Sequence, residues 1–278
     1  MVKISFWKMH GLGNDFILID GRNGKLSDDH MGRLARELCE RRFSVGADGL
    51  IIVFNSTFAD IRMRIFNPDG SEAEMCGNGI RCLAKYCYEK GIVRKKEMKV
   101  ETLAGVKEVE LTVERETVEK VKVNMGKPVW ERSGVPMLGE GTFIDRDLEL
   151  GTTRFRATCL SLGNPHCIIF VDDVKNFPIE TTGPEVENHP LFPNRVNVEF
   201  AQILNRHELN VRVWERGCGE TFACGTGACA AVAAAKVLGK IDGKAIVHLL
   251  GGDLEVEYTT LGIYMKGPAT KVFEGRMF

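Results

Sequence analysis

Met75-Cys76-Gly77-Asn78-Gly79 and Ala223-Cys224-Gly225-Thr226-Gly227 are two settings of one turn, and the rest of the chain repeats around them. Each turn places a cysteine at the head of an apolar, helix-like segment. Upstream, Leu12-Gly13-Asn14-Asp15-Phe16 is echoed by Leu162-Gly163-Asn164-Pro165-His166. Asn14 precedes Cys76 by 62 positions, and Asn164 precedes Cys224 by 60. Arg64-Ile65-Phe66-Asn67 approaches the first cysteine as Arg212-Val213-Trp214-Glu215 approaches the second. Downstream, Val100 to Gly105 matches Val247 to Gly252, and Met125 to Pro128 matches Met265 to Pro268. A repeat sustained over most of both halves implies duplication of one structural unit.

The 278 residues therefore divide into two domains, 1–127 carrying Cys76 and 128–278 carrying Cys224. Glycines and prolines cluster at the junction, over 126–135, and the last strand, about 268–278, is able to pack on the N-terminal domain. Strand-like alternation recurs: Ile61, Met63 and Ile65 alternate with Arg62 and Arg64, and 109–113, 118–123, 209–213 and 254–258 behave alike. Three helices are expected. Ser27 is placed to cap one that carries Met31, Leu34, Ala35 and Leu38 on one face. Ile80, Leu83, Ala84, Cys87 and Tyr88 keep helical spacing after Cys76, with Gly91 at the C-terminal end. The run from Ala228 to Leu238 is alanine-rich, ends at Gly239, and has small side chains nearly all round, as suits a helix buried inside its domain. The fold class is α+β, with two pseudo-symmetric β-rich domains.

A formal charge of −1 provides no basic field for nucleic acid. No apolar run approaches the ~20 residues of a transmembrane helix. Met1-Val2-Lys3-Ile4-Ser5 lacks a signal peptide's apolar core, so a cytoplasmic location is expected. Nine cysteines in such a chain argue against a disulfide framework. No Cys-x-x-Cys pair occurs and the histidines are scattered, so no metal site is expected. Cys39, Cys82, Cys87 and Cys229 read as small core residues.

Cys76 and Cys224 read differently. A helix N-terminus lowers a thiol pKa from ~8.5 to roughly 3.5–7.5 in favourable cases. The glycines leave the backbone amides of each turn uncovered, ready to hold an anion. Two such sites related by symmetry suit a substrate with one sulfur on each face. A thiolate then removes a proton from a carbon, a thiol opposite returns one, and the centre inverts. The carboxylate beside that carbon would sit on the amides of Gly77, Asn78, Gly225 and Thr226. No single effect is large enough: helix dipoles give at most ~2 kcal/mol each, an oxyanion donor ~2.7–4, and orientation ~7–11, against a typical total of ~8–23. Closure that excludes water is expected as well.

The halves also differ. Asn67 is replaced by Glu215, which is followed by Arg216, and Asp15-Phe16 becomes Pro165-His166. Asymmetric polar residues on a symmetric scaffold imply an asymmetric ligand. Arg216 suits a carboxylate, and Asn14, Asn67, Asn164 and Asn197 suit ammonium or carboxylate groups. An asparagine beside glycine or proline is equally a turn residue, and an isolated arginine equally a surface one.

Together, the segment from Phe6 to Phe16, the run from Phe66 to Gly79, Gly163-Asn164-Pro165-His166-Cys167, and Trp214-Glu215-Arg216-Gly217 leading to Gly227 closely resemble the diaminopimelate epimerase family. The resemblance covers essentially the whole chain. It implies cofactor-independent interconversion of LL- and meso-diaminopimelate, in lysine and peptidoglycan-precursor biosynthesis. It makes Cys76 and Cys224 the acid–base pair, with His166 and Glu215 assisting proton transfer. Asn14, Asn67, Asn164, Asn197 and Arg216 would hold the substrate. It further implies a barrel-like sheet round a central helix in each domain, an active site in the cleft between them, and a homodimer. Gly49 departs from the pattern, standing where some members carry a substrate-contacting glutamine. Cys218 lies close enough in sequence to complicate thiol labelling.

Proline racemase and hydroxyproline epimerase are the nearest alternatives, sharing fold and paired thiols. They usually carry histidine where Asn78 stands and bind a substrate with a single carboxylate. The phenazine-type isomerases lack the paired cysteines. A non-enzymatic cysteine–histidine metal protein predicts stoichiometric zinc.

Overall fold

The computed structural model describes residues 4–24 and 26–277. Met1 to Lys3, part of the stretch read for a targeting signal, lie outside the described residues, as do Lys25 and Phe278, the last residue of the expected terminal strand. Two compact units are present: Met1–Val123 with Lys266–Phe278, and Asn124–Met265.

In the first run of elements, β1 (Ile4–Gly11) and β2 (Asn14–Asp20) form an antiparallel hairpin. Its two turn residues, Leu12 and Gly13, both have positive φ, 56° and 90°, the geometry whose twist matches that of the strands. Asn14 thereby opens β2. α1 (Asp28–Cys39) crosses over so that β3 (Gly49–Phe54) lies parallel to β2. β4 (Ile61–Phe66) returns antiparallel, and short β5 (Glu72–Ala73) folds back on it. α2 (Gly77–Glu89) then crosses to β6 (Glu97–Thr102), parallel to β4, and β7 (Gly105–Glu114) and β8 (Thr117–Gly126) continue antiparallel.

The second run repeats this order. β9 (Arg146–Leu150) pairs antiparallel with β10 (Thr153–Ser161), which pairs antiparallel with β11 (Pro165–Phe170). α3 (Ile179–Glu187) crosses to β12 (Asn197–Asn205), parallel to β11. β13 (Glu208–Glu215) and β14 (Gly219–Thr221) follow antiparallel. α4 (Gly225–Val237) crosses to β15 (Lys244–Leu249), parallel to β13 and antiparallel to β16 (Gly252–Tyr258). β17 (Ile263–Gly267) leads to β18 (Thr270–Met277), which pairs antiparallel with β1.

The strand-rich α+β class is as expected. The two cysteine-headed helices are core elements. α2 is buried from Gly77 to Cys87 and packs on β1, β2, β3, β4 and β7. α4 is buried over Gly227–Ala235 and packs on β10 to β13, β15 and β16. Alanine on nearly every side lets strands approach α4 all round. Around α2, fully buried Ile80 and Leu83 each contribute ~1.5–3 kcal/mol.

Two local expectations are corrected. Ser27 stands at the N-cap of α1, but its side chain makes no capping bond. α3 was not foreseen, because Pro184 inside it breaks the helical reading. Cys39, Cys82, Cys87 and Cys229 are buried, as core residues should be.

Candidate active site

Cys76 and Cys224 are the N-cap residues of α2 and α4. Both have extended backbones, φ −139° and −116°, and both sulfurs accept a hydrogen bond from the amide three residues on, Gly79 and Gly227, at 3.4 Å. The thiol occupies the place that serine or threonine takes in an ordinary cap. Gly77, Asn78, Gly225 and Thr226 fill the first helical positions, where an α-helix has no carbonyl one turn back to offer their amides. Anion-binding polarity therefore arises beside each sulfur.

The approach to each cysteine is braced alike. Arg64 grips Glu72 through Nε and Nη2, both at 2.7 Å, and Arg212 grips Glu220 at 2.7 and 2.9 Å. These forks clamp β4 to β5 and β13 to β14, the hairpins that carry Asn67 and Glu215 at their bends. Asn67 Nδ2 donates to Ser71 Oγ at 3.0 Å. Glu215 Oε1 accepts from the Thr221 hydroxyl at 2.7 Å.

In the first unit Asn14 Oδ1 accepts from the Cys76 thiol at 3.7 Å and from Asn78 Nδ2 at 3.2 Å. Asn14 Nδ2 donates to Asp48 Oδ2 at 2.9 Å, which fixes the amide with its oxygen toward the sulfur. Asp48 is itself held by Arg41, which also binds Asp15. Asn78 is buried, and its Oδ1 accepts from Arg81 at 2.8 Å. Fully buried Arg81 ties the start of α2 down by donating to Gly77 O and to Pro268 O, both at 3.1 Å. Gly49 is buried at the start of β3, where a Cβ would press on Phe66 O at 3.0 Å and on the Phe16 ring.

The second unit arranges its polar residues differently. His166 Nε2 bonds Asn164 Oδ1 at 3.0 Å, Asn164 Nδ2 donates to the Thr226 hydroxyl at 3.2 Å, and that hydroxyl lies 3.3 Å from Cys224 Sγ. Asn197 is turned inward: its Nδ2 donates to Pro165 O and its Oδ1 accepts the Arg216 amide, at 2.8 and 2.9 Å. The exposed Arg216 side chain donates to Asn194 O at 3.2 Å. Burial pushes the Cys224 thiol well above its ordinary value, and the Glu215 and Glu199 carboxylates add to this; the Thr226 hydroxyl and the Gly227 amide act the other way. The simple expectation of a lowered thiol at a helix N-terminus is thus reversed at Cys224 by desolvation.

Bonds link Asn14, Asn78 and Cys76 in one unit, and Asn164, His166, Thr226 and Cys224 in the other. Asn67 and Glu215 are bonded within their hairpins, and Asn197 supports the backbone at Arg216. Asp48, Arg81, Glu199 and Thr221 were not picked out from sequence. Of these, Asp48 carried a cue, in the Gly46-Ala47-Asp48-Gly49 turn. Among the described residues no group of three or more His, Cys, Asp or Glu side chains is placed to hold a metal ion.

The diaminopimelate epimerase family model matches residues 6–131 and 158–272. A curated diaminopimelate epimerase of Moorella thermoacetica is 55% identical over 273 residues, covering 97% of this chain and 98% of the relative. One from Methanococcus maripaludis is 46% identical, covering 99% of each. Among solved structures, a probable proline racemase from Agrobacterium radiobacter K84 with bound carbonate superposes with a TM-score of 0.75 at 16% identity, covering 99% of this chain and 93% of that one. A phenazine biosynthesis protein of the PhzF family from Bacillus anthracis gives 0.70 at 19% identity over the whole of both chains. At such identities these two establish a shared fold.

Proposed function

Because this chain belongs to the diaminopimelate epimerase family, we propose that it interconverts LL- and meso-2,6-diaminopimelate, in lysine and peptidoglycan-precursor biosynthesis. No cofactor takes part: one proton is exchanged at one α-carbon between Cys76 and Cys224. The observation that carries this reading is the twinned cap, in which each sulfur accepts the amide three residues into its helix at 3.4 Å. One sulfur, as thiolate, takes the α-proton. The other, as thiol, delivers its proton to the opposite face, and the carbon leaves with inverted configuration. The reverse reaction exchanges the two roles.

The substrate carboxylate next to the reacting carbon sits on the amides of Gly77, Asn78, Gly225 and Thr226, where charge accumulates in the carbanion. Thr226 and Gly227 are donors to Cys224 when it becomes a thiolate, against the burial that favours its thiol. His166 and Glu215 assist proton transfer. Arg216, whose side chain is exposed, takes the distal carboxylate, while Asn14, Asn67, Asn164 and Asn197 complete and brace the binding surface. The halves 1–127 and 128–278 each supply one thiol. A cytoplasmic location belongs to the same reading, and the family resemblance supports a homodimer.

The test is incubation with LL-diaminopimelate in heavy water without added cofactor or metal. Solvent deuterium should enter the α-carbon as the meso isomer forms. Reduced, folded protein that yields neither would overturn the assignment, and proline and hydroxyproline would then be tried in the same assay.

A further inference from the structure

Glu199 is completely buried beneath the first turn of α4, and its Oε1 lies 2.7 Å from Nδ1 of His166, which is equally buried. Its other oxygen, Oε2, has no hydrogen-bond partner among the described residues. A Cβ added at Gly227 would fall 2.6 Å from Glu199 Oε1. The carboxylate can therefore occupy this place only because a glycine stands three residues after the cysteine. From it runs an unbroken chain within one unit: Glu199, His166, Asn164, Thr226 and Cys224, at 2.7, 3.0, 3.2 and 3.3 Å.

We propose that Glu199 is a positioning residue that sets the direction of this hydrogen-bond chain, so that the Thr226 hydroxyl donates to Cys224 Sγ. The inference rests on Cys224 being one of the two reacting thiols. Both ring nitrogens of His166 face oxygen atoms, Glu199 Oε1 and Asn164 Oδ1, and a ring that satisfies both acceptors donates from each nitrogen. An imidazolium has N–H on both nitrogens. Nδ1–H then donates to Glu199, and Nε2–H donates to Asn164 Oδ1. The amide can present only Nδ2–H to Thr226, and the hydroxyl proton is left to point at the sulfur. A ring with a single proton cannot donate to both neighbours. With its proton on Nδ1, the Nε2 lone pair would turn the amide over, Thr226 would donate to it, and an oxygen lone pair would face Cys224. No proton travels along the chain; each group keeps its own, and only the direction of donation changes. In the other unit the order is reversed, since Asp48 takes the donor end of Asn14 and aims Oδ1 at Cys76.

The test is alkylation of the intact reduced protein by iodoacetamide across pH, following Cys224 by mass spectrometry with Cys76 as internal reference. The carboxylates of Glu215 and Glu199 raise the Cys224 thiol. Loss of the Glu199 charge by itself would therefore move the Cys224 profile to lower pH, opposite in sign to the effect of turning the hydrogen-bond chain. E199Q should slow Cys224 alkylation near neutral pH by about tenfold, as loss of one charge-assisted donor predicts, and move its profile to higher pH. The Cys76 profile should stay in place. Thr226→Val should do the same, and adding E199Q to it should move the profile no higher. A Cys224 profile in E199Q that is unchanged or moved to lower pH, or a further rise in the double variant, would overturn the proposal. If E199Q shows no cooperative thermal transition, Thr226→Val decides alone, and an unchanged profile there is equally fatal. Alkylation needs no turnover, so a failed substrate assignment leaves this result standing.

Discussion

The Cys76 thiol donates to Asn14 Oδ1 at 3.7 Å, so the first sulfur faces an acceptor. The second, on Cys224, faces the Thr226 hydroxyl at 3.3 Å. Two helix caps with the same backbone design are thus given different polar neighbours.

If both sulfurs move protons, Cys76→Ala and Cys224→Ala should each lower epimerisation by at least the ~10²–10⁴-fold of a positioned acid or base. Deuterium uptake and isomer formation would be measured together; near-normal turnover by either variant would end the two-base reading.

Asp48→Ala removes the acceptor that fixes Asn14. Turnover should fall by about tenfold, the worth of one charge-assisted hydrogen bond, with the thermal midpoint little changed because Asp48 is exposed. An activity loss matched by an equal loss of folded protein would instead assign Asp48 a structural role.

Arg216→Ala should raise KM by roughly tenfold or more, with a smaller change in kcat, as expected when a charged contact to the unreactive end of a substrate is lost. Steady-state kinetics at saturating diaminopimelate would separate the two constants. An unaltered KM would make Arg216 an ordinary surface residue.

Acid stability should depend on Asp15. Burial pushes its carboxyl up, but bonds from Arg41 and Lys8 more than offset this and hold it at about 2, at 2.6 Å from each. The folded value is depressed below the ~3.9 of an unfolded chain, so the stabilisation is complete above that value and is lost as pH falls toward 2. Thermal midpoints recorded between those limits should fall less steeply for Asp15→Asn than for the parent; parallel curves would exclude this role.

The two glycines three residues after the cysteines should respond unequally to alanine. At Gly79 the new methyl meets the ends of Ile51 and Ile65 at 3.0 and 3.3 Å, which can yield. Relief of the ~1 kcal/mol helix penalty of glycine offsets the crowding. At Gly227 it meets the buried Glu199 carboxylate at 2.6 Å, and overpacking of ~1–3 kcal/mol is expected. Chemical denaturation of both variants checks the order; equal losses would show that the carboxylate moves aside.

Much was legible before any coordinates. Strand alternation, the apolar and alanine-rich runs that follow the cysteines, and the glycines that let each helix begin and end are local patterns, and the duplication multiplied their signal. They disclosed the α+β class, the two cysteine-headed helices and the family. Other features depend on residues far apart in the chain. Glu199 and His166 are 33 positions apart, Asn14 and Asp48 are 34, and Arg81 reaches Pro268 across 187. Every residue from Asn197 to Ala201 in β12 is buried, so alternation there does not distinguish Glu199 from its neighbours. A helix interrupted by Pro184 hid α3, since local propensity opposed what packing enforced. The direction of the Cys224 shift also lay beyond the sequence: a helix N-terminus stabilises a thiolate wherever it stands, but burial and the carboxylates nearby are fixed only when the strands close around α4.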